Sequence, residues 1–155
     1  MSNYTVESTK VETSDGAKLH TRLFKPREET RNNLVVVLVH PYSILGGCQG
    51  LLKGIAAGLA EKGYKAVTFD MRGAGKSTGR ASLTGFAEIK DVIAVCKWAC
   101  ENLSVDRILL VGSSAGIMIS FVGLFATNFY GSSMCVYFWV GKSLKVLFLF
   151  FNLWQ

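Results

Sequence analysis

Beyond Asp106 the chain has no Asp or Glu, and beyond His40 it has no His. Chemistry in its last third that needs a carboxylate or an imidazole therefore finds neither nearby in sequence. Charge of either sign is scarce, at 18% of 155 residues, while half of the residues are hydrophobic, which excludes disorder as the general state. The 17 basic and 11 acidic residues leave a formal charge of +6. The basic ones are scattered singly from Lys10 to Lys145, with no run and no aromatic-interleaved patch, so nucleic acid is not an expected partner. Cys48, Cys96, Cys100 and Cys135 form no Cys-x-x-Cys pair and have no His at metal-ligand spacing. Neither a metal site nor a disulfide framework is signalled, and a reducing, cytoplasmic compartment fits best, with membrane association as the alternative. Cys96 and Cys100, four apart, read as small apolar residues on one helix face. Residues 1–10 lack a basic segment followed by an apolar one, so no secretory signal is read.

What is present divides near residue 107. All 11 acidic and 14 of the basic residues precede it, whereas Ile108 to Gly141 contains no ionisable Asp, Glu, Lys, Arg or His. The first part alternates strand and helix signals. Tyr4 to Thr13 and Lys18 to Phe24 flank the turn residues Ser14-Asp15-Gly16-Ala17, predicting a hairpin. Leu34 to Val39 is continuously apolar and β-branched, as in a strand buried on both faces of a parallel sheet. A helix is expected over Gln49 to Lys62, stopped by Gly63, and a strand over Lys65 to Phe69. Phe86, Ile89, Ile93, Cys96, Cys100 and Leu103 recur at steps of three and four, predicting a helix with that buried stripe and Thr84 as its N-cap. Arg107 to Val111 is a third buried strand, so the expected class is α/β, with a parallel β-α-β-α-β order after the hairpin.

Three loops follow these strands. Gly112-Ser113-Ser114-Ala115-Gly116 lies between an apolar strand and another apolar segment, which is the context of a nucleophile elbow. Gly112 and Gly116 leave room for the sharp turn, Ser114 takes the nucleophile position, and the Ala115 N–H is an oxyanion donor. The loop His40-Pro41-Tyr42-Ser43-Ile44-Leu45-Gly46-Gly47 stands where a second donor, the Tyr42 N–H, would come from. His40, before a proline at a strand end, reads as a loop hydrogen-bonding residue rather than a base. Asp70-Met71-Arg72-Gly73-Ala74-Gly75-Lys76-Ser77 contains Gly-Lys-Ser but has Asp70 where a phosphate loop needs its first Gly. Asp70 and Arg72 are expected to tie this loop down, with Gly73 and Gly75 permitting its backbone.

Taken along the chain as the His40 loop, the Asp70 loop and the Gly112 elbow, the three motifs resemble the α/β-hydrolase superfamily, in particular small serine hydrolases related to the dienelactone-hydrolase, serine-aminopeptidase and prolyl-oligopeptidase-like groups. The resemblance covers about residues 4–116. It implies cleavage of an ester, thioester or amide in a small-molecule substrate, with no cofactor, by a Ser followed along the chain by an acid and a His. Only Ser114 and the Tyr42 and Ala115 backbone donors carry over. The expected organisation is the N-terminal half of an α/β-hydrolase domain over 1–116 and an apolar, aromatic-rich tail over 117–155. The absent partners imply a truncated, catalytically incomplete hydrolase; the alternative is a non-catalytic, membrane-associated or partner-binding pseudo-hydrolase. For the tail, one reading is a helix over Ile117 to Tyr130 followed by a hairpin of Met134 to Val140 and Leu144 to Phe151. The other is a membrane segment over 117–140, whose 24 uncharged residues are long enough to span a bilayer.

Overall fold

A computed structural model describes residues 2–28, 33–41, 47–113, 133–140 and 143–146. They build a seven-stranded sheet in the order β1-β2-β4-β3-β5-β6-β7. The strands are β1 Tyr4–Glu12, β2 Lys18–Pro26, β3 Leu34–Val39, β4 Lys65–Phe69, β5 Arg107–Ser113, β6 Ser133–Val140 and β7 Ser143–Val146. β4, β3, β5 and β6 are mutually parallel, whereas β1, β2 and β7 join antiparallel.

The β-branched run of β3 explains its central place. Val35, Val37 and Val39 point into one core cluster while Val36 and Leu38 point into another, so both faces of the strand are covered. Removing each such side chain from water contributes about 1.5–3 kcal/mol before entropy is counted. From β3 the chain reaches β4 on one side through α1 (Lys53–Glu61), and from β4 it passes back across β3 to β5 through α2 (Phe86–Asn102). Crossovers that run in opposite directions with the same right hand must place their helices on opposite faces. Accordingly Ala56 and Ala60 of α1 pack with Val36 and Leu38, and Ile89, Val92, Val95, Cys96 and Ala99 of α2 pack with Val35, Val37 and Val39. Strand order thus reverses at β3. The crevice beyond the carboxyl ends of β3 and β5 is where open α/β sheets hold ligands.

Four local expectations need correction. The helix foreseen over Gln49 to Lys62 opens with a 3-10 turn, Gln49–Leu52, and only Lys53–Glu61 is α-helical. The N-cap of α2 is Gly85, not Thr84: at φ 80° it occupies the left-handed region, and its N–H donates to Ser82 Oγ at 2.9 Å. Ser82 in turn donates its N–H and Oγ to the Glu88 carboxylate, each at 2.6 Å, so the helix starts one residue later than read from sequence and its entry is held by Ser82, two residues before Thr84. The buried stripe of α2 is also rotated, because Phe86 is 67% exposed while Glu88 and Asp91 are fully buried. Tertiary partners for those two carboxylates outweigh the apolar periodicity.

The fourth correction concerns the tail. Ser133–Val140, the last third of the proposed membrane segment, is a strand that pairs parallel to β5 from Arg107↔Ser133 to Ser113↔Trp139. It pairs antiparallel with β7, from Tyr137↔Val146 to Val140↔Ser143. Among the described residues no helix is long and apolar enough to cross a membrane. The helix expected over Ile117 to Tyr130 lies outside the described residues, as does the hairpin beyond Val146.

Candidate active site

β3 and β5 are adjacent and in register, with Val39 opposite Gly112, so their carboxyl ends open side by side. One leads into His40-Pro41 and the other into Ser113 and the segment that carries Ser114. Gly112 is buried at the end of β5. Tyr42, Gly46, Ser114, Ala115 and Gly116 lie outside the described residues.

The 40–47 loop is anchored at both ends. His40 is 3% exposed, and its Nε2 accepts the Met71 N–H at 3.1 Å. That fixed backbone donor sets the tautomer: the proton sits on Nδ1 and is donated to the Pro41 carbonyl at 3.0 Å. Burial lowers the imidazole below its usual range, against the opposing effects of the Pro41 carbonyl and the Asp70 charge. Both ring nitrogens are engaged within the loop, so His40 offers no free lone pair to a serine. At the other end, a Cβ on Gly47 would lie 2.9 Å from the Pro41 oxygen, so the chain returns to within contact of where it left.

Asp70 organises the second loop from the end of β4. Its Oδ1 accepts the Gln49 N–H at 2.9 Å, and its Oδ2 accepts Gln49 Nε2 at 3.0 Å and the Lys76 N–H at 3.2 Å. Burial pushes this carboxyl up, but the Gln49, Lys76 and His20 hydrogen bonds outweigh it and hold Asp70 below the usual carboxylate range. The Lys76 N–H, which a phosphate loop would turn toward its ligand, is taken by this internal carboxylate. Gly75 shows how tightly: at φ 51°, a Cβ there would collide with the Asp70 carboxylate. Gln49 Oε1 accepts Thr68 Oγ1 at 2.8 Å, and Ser77 Oγ accepts the His20 N–H at 2.8 Å while donating to the Asp70 carbonyl at 2.6 Å. The two loops and strands β2 and β4 are thus joined through one buried polar cluster.

Arg72 ties the same loop to α2 and to the β1–β2 turn. Its Nε and NH2 donate to Asp91 Oδ1 at 2.9 and 2.8 Å, and its backbone N–H donates to Asp91 Oδ2 at 2.8 Å. NH1 and NH2 also reach the Asp15 carboxylate at 2.9 and 3.0 Å. Burial favours neutral Arg72, but its hydrogen bonds to Asp15 and Asp91 more than offset this and hold it protonated. For Asp91, burial is the largest influence and, with the neighbouring Glu88, pushes the carboxyl up against the pull of Arg72. Three short contacts from one arginine onto that carboxylate identify the pair as charged. Gln49, Asp91, Asp15 and Glu88 were not singled out in the sequence. Glu88 and Asp91 lie off the apolar stripe that the sequence offers for α2, so its periodicity gave no signal for them.

The family model for the X-Pro dipeptidyl-peptidases (S15 family) matches residues 15–126, which take in all three motif loops. The chain belongs to the S15 family. Solved structures agree with this fold. An esterase from Pyrococcus furiosus is 24% identical with a TM-score of 0.70 over 86% of this chain and 50% of its own. A lidless α/β serine hydrolase from Xanthomonas campestris is 20% identical with a TM-score of 0.69 over 91% of this chain and 66% of its own. An α/β serine hydrolase homologue from Coxiella burnetii is 26% identical with a TM-score of 0.68 over 88% and 73%. An uncharacterized 31.7 kDa protein of the traX-finO intergenic region of Escherichia coli is 38% identical over 87 residues, which are 50% of this S15-family chain but 30% of that protein. The chain therefore spans about a third of the curated relative it matches and half of the Pyrococcus esterase.

Proposed function

We propose that this chain carries the nucleophile-bearing half of a serine hydrolase, with Ser114 as nucleophile and the Tyr42 and Ala115 N–H groups as oxyanion donors. The observation that carries the reading is the position of Gly112: it closes a central parallel strand, beside the anchored His40 loop, at the point where the strand order reverses. Attack by Ser114 Oγ on an ester, thioester or amide carbonyl would drive negative charge onto the carbonyl oxygen, where two backbone N–H groups stabilise it without reorganisation. The family's description makes the peptide bond after an X-Pro dipeptide one amide to test, and the Pyrococcus relative makes a simple ester another.

The serine also needs a base. His40 is engaged at both nitrogens, and His20 Nδ1 lies 2.7 Å from Gln49 Nε2 within the polar cluster. No acid follows Asp106 and no His follows His40 in these 155 residues. A serine hydroxyl without an imidazole is weakly nucleophilic near neutral pH, and loss of triad members costs orders of magnitude in rate. The 155-residue chain by itself is accordingly proposed to be catalytically incomplete, and added imidazole should substitute for the missing base. The test is p-nitrophenyl acetate turnover by wild type and Ser114→Ala, with and without millimolar imidazole. The proposal expects no Ser114-dependent turnover without imidazole and a difference between the two proteins with it. Equal rates in imidazole would remove Ser114 from the nucleophile role, and Ser114-dependent turnover without imidazole would overturn the incompleteness.

A further inference from the structure

The chain has two histidines, and both stand at the junction between the strand ends and the Asp70 loop. His40, at the end of β3, accepts the Met71 N–H through Nε2 at 3.1 Å. His20, on β2, lies with Nδ1 2.7 Å from Gln49 Nε2. That amide is fixed in orientation: its Nε2 donates to the His20 carbonyl and to Asp70 Oδ2, each at 3.0 Å, while its Oε1 accepts from Thr68. A nitrogen carrying hydrogens therefore faces His20 Nδ1, which must be bare, so the ring proton sits on Nε2. Each histidine thus holds the junction through a lone pair that a proton would remove.

We propose that His20 and His40 form an acid-released latch: when neutral they hold the Asp70 loop and Gln49 against the ends of β2 and β3, and each lets go on taking up a proton. Protonated His40 would set an N–H against the Met71 N–H, two donors that cannot bond, and protonated His20 would do the same against the Gln49 amide. The His20 proton would turn to Asp70 Oδ2, 3.5 Å away, the oxygen that already takes Gln49 Nε2 and the Lys76 N–H. His20 and Gln49 then compete for one carboxylate oxygen. Asp70 itself stays ionised, since its hydrogen bonds hold it below the usual carboxylate range, so at mildly acidic pH it is the imidazoles that respond. The charges around His20 are Asp70, Lys76, whose N–H shares that carboxylate, Lys18 and Arg22 two residues away on the same face of β2, and Lys10, its partner on β1, beside Glu12. The charge acting on His40 is Asp70, and Gly112 and Ser113 at the end of β5 bring none. Asp91 and Asp15 grip Arg72 on the far side of the loop. A Cβ on Gly47 would lie 3.3 Å from His40 Nδ1, so the 40–47 loop shares this anchor. Acid would therefore loosen the support of an oxyanion donor, a consequence that rests on the function proposed above.

The test is amide hydrogen exchange on the whole chain, corrected for intrinsic rates, at pH 7.5 and pH 5, which bracket the usual histidine range. Protection of the Met71 and Gln49 amides should fall about tenfold or more at pH 5 relative to that of Val37 in β3. His40→Gln puts an amide oxygen where Nε2 stands and should abolish the response at Met71. His20→Asn does the same for Nδ1 and should abolish it at Gln49, and both variants leave Asp91 and Asp15 in place. An unchanged ratio of Met71 and Gln49 protection to that of Val37 would overturn the latch. So would an undiminished fall in the two variants, which would place the titration on a carboxylate. The readout needs no turnover, so failure of the Ser114 assignment would leave it unchanged.

Discussion

Replacing Arg72 by Met should be among the most damaging single substitutions outside the apolar core, and it should be so in a pH-dependent way. Arg72 is 8% exposed and Asp91 is fully buried, and the side chain supplies two of the three hydrogen bonds that Asp91 receives from this residue. The methionine side chain would fill much of the volume but leave the Asp91 carboxylate with the single backbone donor. Breaking a buried pair in this manner costs about 3–5 kcal/mol, because one charge is left uncompensated. The contacts to Asp15, which is 32% exposed, add no more than about 1 kcal/mol. Against a total of about 5–15 kcal/mol for a domain, the loss is large. With Arg72 gone, the folded-state pKa of Asp91 lies still further above its unfolded value. A raised carboxylate binds its proton more readily in the fold, so the penalty is absent below the unfolded pKa and grows as pH rises through the folded one. Urea unfolding at pH 5 and pH 8 should therefore show the smaller loss at pH 5, and Arg72→Met/Asp91→Leu should recover most of it at both. A loss under about 1 kcal/mol, or one equal at the two pH values, would refute the reasoning.

Other consequences can be measured with the same unfolding assay. Gly75→Ala forces a side chain into φ 51° and onto the Asp70 carboxylate, and should lose about 1–3 kcal/mol. Gly58→Ala, inside α1 with nothing within 4 Å of the new Cβ, should instead gain about 0.5–1 kcal/mol. Asp15 is held below the usual carboxylate range, chiefly by the Arg72 hydrogen bond. Its contribution should be complete above the ordinary value of 3.8 and fade as pH falls below it, a slope that Asp15→Asn should flatten. His40, lowered by burial, is neutral in the fold where the unfolded chain takes up a proton, so stability should rise with pH through the window just below 6.5 and His40→Gln should reduce that rise.

The frame of the fold was legible because its signals are local and redundant. Lys65 to Phe69 is a strand with the bounds its β-branched run predicts, and β3 needed only its unbroken apolar character. Cys96, read as a small apolar residue, is buried in the α2 core with its thiol pushed up to about 12 by burial. What escaped was polar and long-range. Nothing near Gln49 in sequence announces that its side chain joins His20, Thr68 and Asp70, residues 19 to 29 positions away. Nor does a helical wheel reveal that Asp91 belongs inside, since its partner Arg72 lies in a glycine-rich loop 19 residues earlier. Apolar periodicity assigned Phe86 to the core because it cannot register a buried ion pair that rotates the helix. In the tail, uniform apolarity fitted a span and a hairpin alike. Pairing with β5 decides for a strand over Ser133–Val140.

The most direct test of the central claim is to map the site of a fluorophosphonate adduct on folded wild-type protein in the presence of imidazole. The sequence offers two adjacent serines, Ser113 at the end of β5 and Ser114 just beyond it. Peptide mass mapping should place the adduct on Ser114, with no adduct in Ser114→Ala and none in wild type without imidazole. An adduct on Ser113, or on neither serine while the protein remains folded, would contradict the assignment of this turn as a nucleophile elbow.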